Sequence, residues 1–230
     1  MNIKISATLS GATLLASIAN VAITDNPAQQ AIATVAPPLE HSIKTEERSQ
    51  FLTENEIACL VGQAEGTRTS DCGFTDAYYG HTDPGNGVWN LGSFSYQHGA
   101  SSPEDADDKW VYHLRTEAIA KIQAQANQYQ VKLTFNDWIQ ALDLYTQSPL
   151  AAEGSYVMEL AEYKQQHGNA VSTDGYVNVR SQSYIDPATG RLDAPGLGND
   201  YNRVQSDQRR RVMAIMDSDL YKKLVSGDDR

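Results

Sequence analysis

Glu65 is the strongest candidate in this sequence for acid–base chemistry, because it ends a short apolar segment and directly precedes Gly66. On a helical wheel with about 100° per residue, Glu65 falls beside Val61, at the border of an apolar stripe. The small residues Ala58 and Gly62 leave room next to it. Desolvation at such a position disfavours the charged form of a carboxyl group. A carboxylic acid kept protonated can donate its proton to a glycosidic oxygen, so we expect Glu65 to be a general acid.

A second carboxylate would complete this chemistry, and Asp83 in the segment GHTDPGNG is the candidate that we favour. It would activate a water molecule or stabilise the positive charge that develops on the sugar. Asp71 and Asp76 are the other carboxylates that we consider for this role. Asp-Pro-Gly-Asn is also ordinary turn chemistry, and Glu65 could be a solvated residue at a helix end. Structural roles are therefore the alternatives for both residues.

Aromatic residues are concentrated between residues 74 and 96, although they make up only 8% of the chain. The segment contains Phe74, Tyr78, Tyr79, Trp89, Phe94 and Tyr96. Ring faces stack on the apolar faces of pyranose rings, while polar neighbours bond the sugar hydroxyl groups. A compact core beneath an irregular loop is the alternative. We expect one or two of these rings to line a cleft, with Tyr79 as a candidate for substrate binding.

A helix must position Glu65. Thr53 and Glu56 have the spacing of a capping box, in which side chains satisfy the free backbone N–H groups of a first turn. The apolar residues that follow share one helical face: Ile57, Leu60, Val61 and Ala64. After Gly66 the helical period stops, and NGVWNLGSFSYQ (86–97) is typical of a short β-hairpin or meander.

The rest of the chain is predicted to be helical. N-cap sequences such as Ser102-Pro103 and apolar periodicity predict helices over about 103–128, 134–145, 149–166, 169–182 and 201–217. The Gly- and Pro-rich stretch 184–200 is predicted to be a long loop. We expect DQRRR (207–211) to be a solvated helix face. Arg180 is expected to form a structural salt bridge, with closure of one end of a groove as the alternative.

The net charge restricts the class of partner. The chain carries a formal charge of −11, which argues against nucleic acid, because binding a phosphate backbone requires a basic face. The same charge argues against binding to an anionic membrane surface. Neither nucleic acid nor an anionic membrane is therefore expected as a partner of this acidic chain.

The N-terminal segment has the features of an export signal. Lys4 precedes a weakly apolar run, and small residues at Ser17 and Ala19 fit a cleavage site. We assign residues 1–22 to a signal peptide, 23–49 to a flexible linker and 50–225 to a catalytic domain. An uncleaved anchor is the alternative, but the run is too polar to predict stable membrane insertion. The protein is therefore expected to be secreted or periplasmic.

The cysteine content supports the same compartment. Cys59 and Cys72 are the two cysteines of the chain, and an even number in an exported protein predicts a disulfide. Two unpaired thiols in a cytosolic protein are the alternative. His81, Asp83 and His98 could converge, but no metal-binding spacing is present, so no metal and no cofactor are expected.

Two short motifs resemble those of the lysozyme-like superfamily. QAEGT (63–67) is similar to the Ser/Ala-Glu-Gly-Thr motif of phage lambda-type endolysins, and GSFSYQ (92–97) is similar to their Gly-x-x-x-Tyr-Gln segment. The resemblance covers about residues 54–97. It implies that Glu65 is the catalytic acid and that Tyr96 and Gln97 line the sugar cleft. It also implies a catalytic helix followed by a small β region and a helical remainder.

These observations predict a mainly α (α+β), lysozyme-like domain with a small β-hairpin region after its first helix. The predicted activity is cleavage of β-1,4-linked amino-sugar polymers, most of all peptidoglycan, by a muramidase or a lytic transglycosylase. In a transglycosylase a hydroxyl group of the sugar replaces the second carboxylate. A non-catalytic glycan-binding or structural protein is one alternative. A chitosanase-like hydrolase is another, because an acidic protein suits a cationic polymer. No oligomeric state is predicted.

Overall fold

A computed structural model describes residues 52–83 and 85–227 of the polypeptide. The predicted signal peptide (1–22) and linker (23–49) lie outside the described residues. The described part is mainly helical with one small antiparallel sheet, which confirms the predicted fold class at that level. Each helix in this part of the chain falls short of the length and apolarity that crossing a lipid bilayer requires.

Helix α1 spans Glu54–Glu65, and local side-chain chemistry defines both of its ends. The Thr53 hydroxyl accepts a hydrogen bond from the Glu56 N–H (3.2 Å), and the Glu56 carboxylate accepts one from the Thr53 N–H (2.7 Å). This is the predicted capping box. Gly66 ends the helix in the left-handed conformation (φ 79°), which favours glycine.

The β region after α1 is smaller than the sequence predicts. Strand β1 (His81–Thr82) pairs antiparallel with β2 (Trp89–Asn90), and an isolated bridge joins Leu91 to Tyr96. The hairpin therefore begins before the predicted range of 86–97. The chain then reverses again, because Leu91 and Tyr96 exchange two backbone hydrogen bonds, at 3.1 and 2.8 Å.

Eight further helices follow within the described residues, and most agree with the predicted ranges. Their bounds are α2 (Pro103–His113), α3 (Ile119–Gln128), α4 (Phe135–Gln147), α5 (Pro149–Ala151), α6 (Val157–His167), α7 (Thr173–Gln182), α8 (Tyr201–Met216) and α9 (Asp219–Ser226). Two π-helical turns, Leu114–Ala118 and Ala152–Tyr156, interrupt ranges that the sequence predicts as single helices. The sequence does not predict α9, which begins after the Ser218 N-cap.

Helix α1 is central to the packing, because it contacts α4 on one side and α8 on another. Its residues 57–64 are all buried, and the apolar ones join the core with side chains of α4 and α8 such as Leu142 and Val212. Helix α8 packs against α7 as well. Helix α1 therefore packs against α4 and α8, and α8 in turn packs against α7.

Candidate functional site

The carboxylate of Glu65 is held by a cation from the distant helix α8. Nη2 of Arg211 donates a hydrogen bond to Oε1 of Glu65 over 2.5 Å. The Arg211 side chain is 3% exposed and that of Glu65 is 15% exposed. A charge-assisted bond of this length fixes the direction of the carboxylate, while part of the Glu65 side chain stays accessible.

Arg211 belongs to a buried chain of alternating charges. Its Nη2 and Nε atoms donate to the two oxygens of Asp143, at 2.7 and 3.0 Å. Arg180 donates to the same carboxylate over 2.6 Å. The Asp143 and Arg180 side chains are both 0% exposed. Two carboxylates and two guanidiniums therefore balance in charge, which a buried ionic group requires.

The ionisation of Asp143 follows from its partners. Burial by itself raises the pKa of a carboxyl group. The guanidiniums of Arg211 and Arg180 act against burial and lower the pKa of Asp143 below its ordinary value. Asp143 is therefore a permanent anion at neutral pH, and it anchors both arginines.

Two glutamine side chains accept hydrogen bonds from Arg180 in this chain of charges. Nε of Arg180 donates to the Gln208 amide oxygen (2.7 Å), and its Nη1 donates to the Gln140 amide oxygen (2.8 Å). Both glutamines are buried. The network thus joins α1, α4, α7 and α8 at the end of the helix that carries Glu65.

Two interpretations of the sequence need correction here. The prediction that 207–211 is a solvated helix face is wrong for Gln208 and Arg211, which are buried on the same stripe of α8 as Val212. The sequence predicts apolar surroundings for the Glu65 carboxylate, but its Oε1 atom instead contacts the guanidinium of Arg211. The predicted structural salt bridge of Arg180 is confirmed.

A second arginine of α8 forms a hydrogen bond with the backbone at the end of α1. Nη1 of Arg210 donates to the carbonyl of Ala64 over 2.8 Å. Free carbonyl groups give a helix C-terminus a partial negative charge, so a carboxylate there is unfavourable unless cations compensate. Arg210 and Arg211 supply this compensation from α8, which explains how the fold accommodates Glu65 at this position.

The segment 92–97 is attached to the end of α1 by polar side chains. The hydroxyl of Thr67 donates to the Ser93 carbonyl (2.6 Å), and Nε of Arg68 donates to the Ser93 hydroxyl (2.8 Å). The Ser93 N–H and hydroxyl groups donate to Asp107 of α2, at 2.5 and 2.7 Å. Burial raises the pKa of Asp107 although these bonds and Arg68 oppose it. Asp107 thus places this segment beside the last turn of α1.

Gln97 and the Asp83 turn come together, whereas Tyr96 faces α2. Nδ2 of Asn86 donates to the exposed Gln97 side chain over 2.9 Å. Oδ1 of Asp83 accepts the N–H groups of Gly85 (2.6 Å) and Asn86 (3.3 Å), which is the turn chemistry considered from the sequence. The half-buried Tyr96 ring lies 6.1 Å from the ring of Trp110.

Tyr79 is 62% exposed and forms part of an aromatic surface with other side chains of its segment. Its ring lies 5.2 Å from that of Tyr78 and 6.1 Å from that of Phe74. Tyr78 is buried, whereas Phe74 is 48% exposed. The buried ring of Tyr78 therefore supports the two accessible rings of Phe74 and Tyr79.

The predicted disulfide is present between Cys59 and Cys72, with a Cα–Cα distance of 5.3 Å. Cys59 lies within α1, and Cys72 lies in the loop that follows Gly66. The covalent link therefore fixes the path of the chain directly after Glu65. Among the described residues, no hydrogen bond or ion pair joins Glu65 to Asp83.

No protein family model, no curated protein and no solved structure matches the chain. Its function must therefore be argued from the site itself. The site offers an oriented, partly exposed carboxylate at the end of α1, and the chain continues from it into a segment with exposed rings and three aspartates.

Proposed function

We propose that this protein is an exported glycosidase that cleaves β-1,4-linked amino-sugar polymers. The observation that carries the proposal is the placement of Glu65. Its carboxylate is held by Arg211 at 2.5 Å and keeps 15% exposure, next to a segment with exposed aromatic rings. The short motifs that resemble lambda-type endolysins support the same role for Glu65.

In the proposed reaction Glu65 is the general acid. It transfers its proton to the glycosidic oxygen while the bond from that oxygen to the anomeric carbon breaks. A water molecule adds to the anomeric carbon and loses a proton to the carboxylate of Asp83. Asp83 and Glu65 then exchange protons with solvent, which restores both groups. The Arg211 bond orients the Glu65 side chain.

The charge distribution bears on which polymer is cut. The resemblance to endolysins favours peptidoglycan, which is anionic. The net charge of −11 favours chitosan, whose free amines are protonated at mildly acidic pH. Residues 69–97 contain three aspartates and neither lysine nor arginine. Because the segment that follows Glu65 carries this charge, we favour a chitosanase-like activity over a muramidase.

A second candidate function is a non-catalytic glycan-binding protein. The observation that favours it is the ion pair itself, because Arg211 gives Glu65 a structural role that requires no catalysis. Such a protein would bind a glycan through its exposed rings and leave it intact. A lysozyme-like fold and export of the chain would be compatible with either proposal.

The proposal is tested by activity gels that contain peptidoglycan or chitosan. The Glu65→Gln variant keeps an oxygen that can accept the Arg211 bond but has no proton of suitable acidity, so we expect it to clear neither gel. Glu54→Gln is the matched control in the exposed first turn of the same helix, and it should clear like the wild type. Clearing that survives in Glu65→Gln would remove this residue from the mechanism. Glycan binding by the wild type without clearing would support the non-catalytic function, and an anhydro-sugar product would indicate transglycosylation.

A further inference from the structure

Three large aromatic side chains form an accessible surface after α1. Phe74 is 48% exposed, Trp89 57% and Tyr79 62%. We call these three residues the aromatic platform. Exposed rings that are grouped in this way lose apolar contact with water when a ligand covers them, and this favours binding.

The platform is supported from the protein side. The ring of Phe74 lies 4.0 Å from that of the buried Tyr78, and the guanidinium of Arg68 lies 3.9 Å from the centre of the Phe74 ring. Trp89 lies on Gly80, where an added Cβ atom would come within 2.1 Å of Cζ2 of the indole. A glycine is therefore required for this approach, and the backbone itself supports the indole ring.

The charged side chains of the segment that carries the platform have one sign. Residues 69–97 contain Asp71, Asp76 and Asp83 but no lysine and no arginine. The guanidinium of Arg68, which lies against Phe74, is paired with Asp107 at 3.4 Å, and its side chain is 8% exposed. The accessible surface is thus aromatic and negative, which suits a ligand with apolar ring faces and positive charges.

We propose that the platform binds a single chain of β-1,4-linked sugars that carry free amines and leads it to Glu65. This inference rests on the proposed function for the choice of a glycan. The platform adjoins the candidate site, because the hydroxyl of Thr75 donates to the carbonyl of Gly66 over 2.9 Å. The rings of Phe74 and Tyr79 are inclined by 59°. This inclination does not fit a flat crystalline surface, but it fits one chain whose sugar rings turn relative to each other.

The test measures binding of a glucosamine hexamer to the full chain with Glu65→Gln, so that cleavage does not interfere. Replacing Phe74 or Trp89 by Ala in this background should weaken binding about tenfold for each ring. Tyr112→Ala is the matched control, because Tyr112 is 71% exposed on α2 outside the platform. It should bind like its parent. Equal affinity of all these variants for the hexamer would overturn the proposal.

Fluorescence provides a second measurement of binding, in which the platform of the parent protein itself reports on the ligand. Trp89 is exposed, whereas Trp138 is buried and Trp110 is half-buried, so the hexamer should shift mainly the emission of Trp89. Absence of any shift at saturating hexamer would count against the platform. The control Trp89→Phe should abolish the shift while it keeps an aromatic ring.

Charge is tested with the N-acetylated hexamer and with salt. The free-amine hexamer should bind more tightly, and its affinity should fall as salt screens the aspartates. Equal, salt-independent binding of the two hexamers would overturn the choice of an amine-bearing ligand. If no polymer is cleaved but hexamer binding still depends on the rings, the glycosidase proposal fails and the platform remains.

Discussion

Nη2 of Arg211 bonds Oε1 of Glu65 over 2.5 Å and connects residues that are 146 positions apart in the sequence. The same nitrogen also bonds Asp143 (2.7 Å). Arg211 is thus shared between a fully buried anion and a partly exposed one. A side chain held on two sides in this way has little freedom to move, so the direction of the Glu65 carboxylate is set by the packing of α8 against α1.

Replacement of Arg211 by Met tests this relationship. Because it leaves the buried Asp143 with a single cation and Glu65 with none, we expect a loss of about 3–5 kcal/mol in the free energy of unfolding. Urea unfolding measures this loss. Arg209→Met is the control on the same helix, since Arg209 makes an exposed pair with Asp174 and its loss should cost less than about 1 kcal/mol. Similar losses for both variants would contradict the role given to Arg211.

Local features of the fold were predictable because they depend on neighbouring residues. Thr53 and Glu56 identified the start of α1, and Gly66 identified its end, since capping and left-handed geometry involve only a few adjacent positions. The pairing of Cys59 with Cys72 followed from their number and compartment. The π turn at Leu114–Ala118 gave no such signal, because its residues continue the helical pattern on both sides.

The environment of Glu65 was not predictable from its own helix. Its partner comes from α8, and a run of arginines ordinarily indicates a solvated face. A signal was nevertheless present, since Val204, Gln208, Arg211 and Ile215 recur at helical spacing on one stripe. Two polar residues on an apolar stripe indicate a buried polar network. Which carboxylate they meet depends on tertiary packing, which the pattern does not contain.

Acid sensitivity should depend on Asp143. The folded state lowers the pKa of this carboxyl group, so the unfolded chain binds more protons between the two values. The stabilisation from Asp143 is therefore complete above the unfolded pKa of about 3.9 and is lost as pH falls through the folded one. In Asp143→Asn the free energy of unfolding should depend less steeply on pH below about 4. An unchanged slope would mean that Asp143 is not ionised in the folded protein.

The disulfide should contribute to stability at the site. The bond between Cys59 and Cys72 closes a short loop, and loops of this length contribute about 3 kcal/mol in the chain-entropy description. The double variant Cys59→Ala, Cys72→Ala should lose a similar amount in urea unfolding. Addition of a reducing agent should reproduce the loss in the wild type and leave the variant unchanged. A reductant effect on the variant would show that the loss has another origin.

Asp83 has two possible roles that a pair of variants can separate. Its Oδ1 accepts the N–H groups of Gly85 and Asn86, and an asparagine can make the same bonds, whereas alanine cannot. If the carboxylate accepts a proton from water during hydrolysis, Asp83→Asn and Asp83→Ala should both lose activity by at least about 100-fold. If Asp83 only shapes the turn, Asp83→Asn should cleave like the wild type and Asp83→Ala should be impaired. Steady-state rates on chitosan distinguish these outcomes, and the second would assign the activation of water to another group.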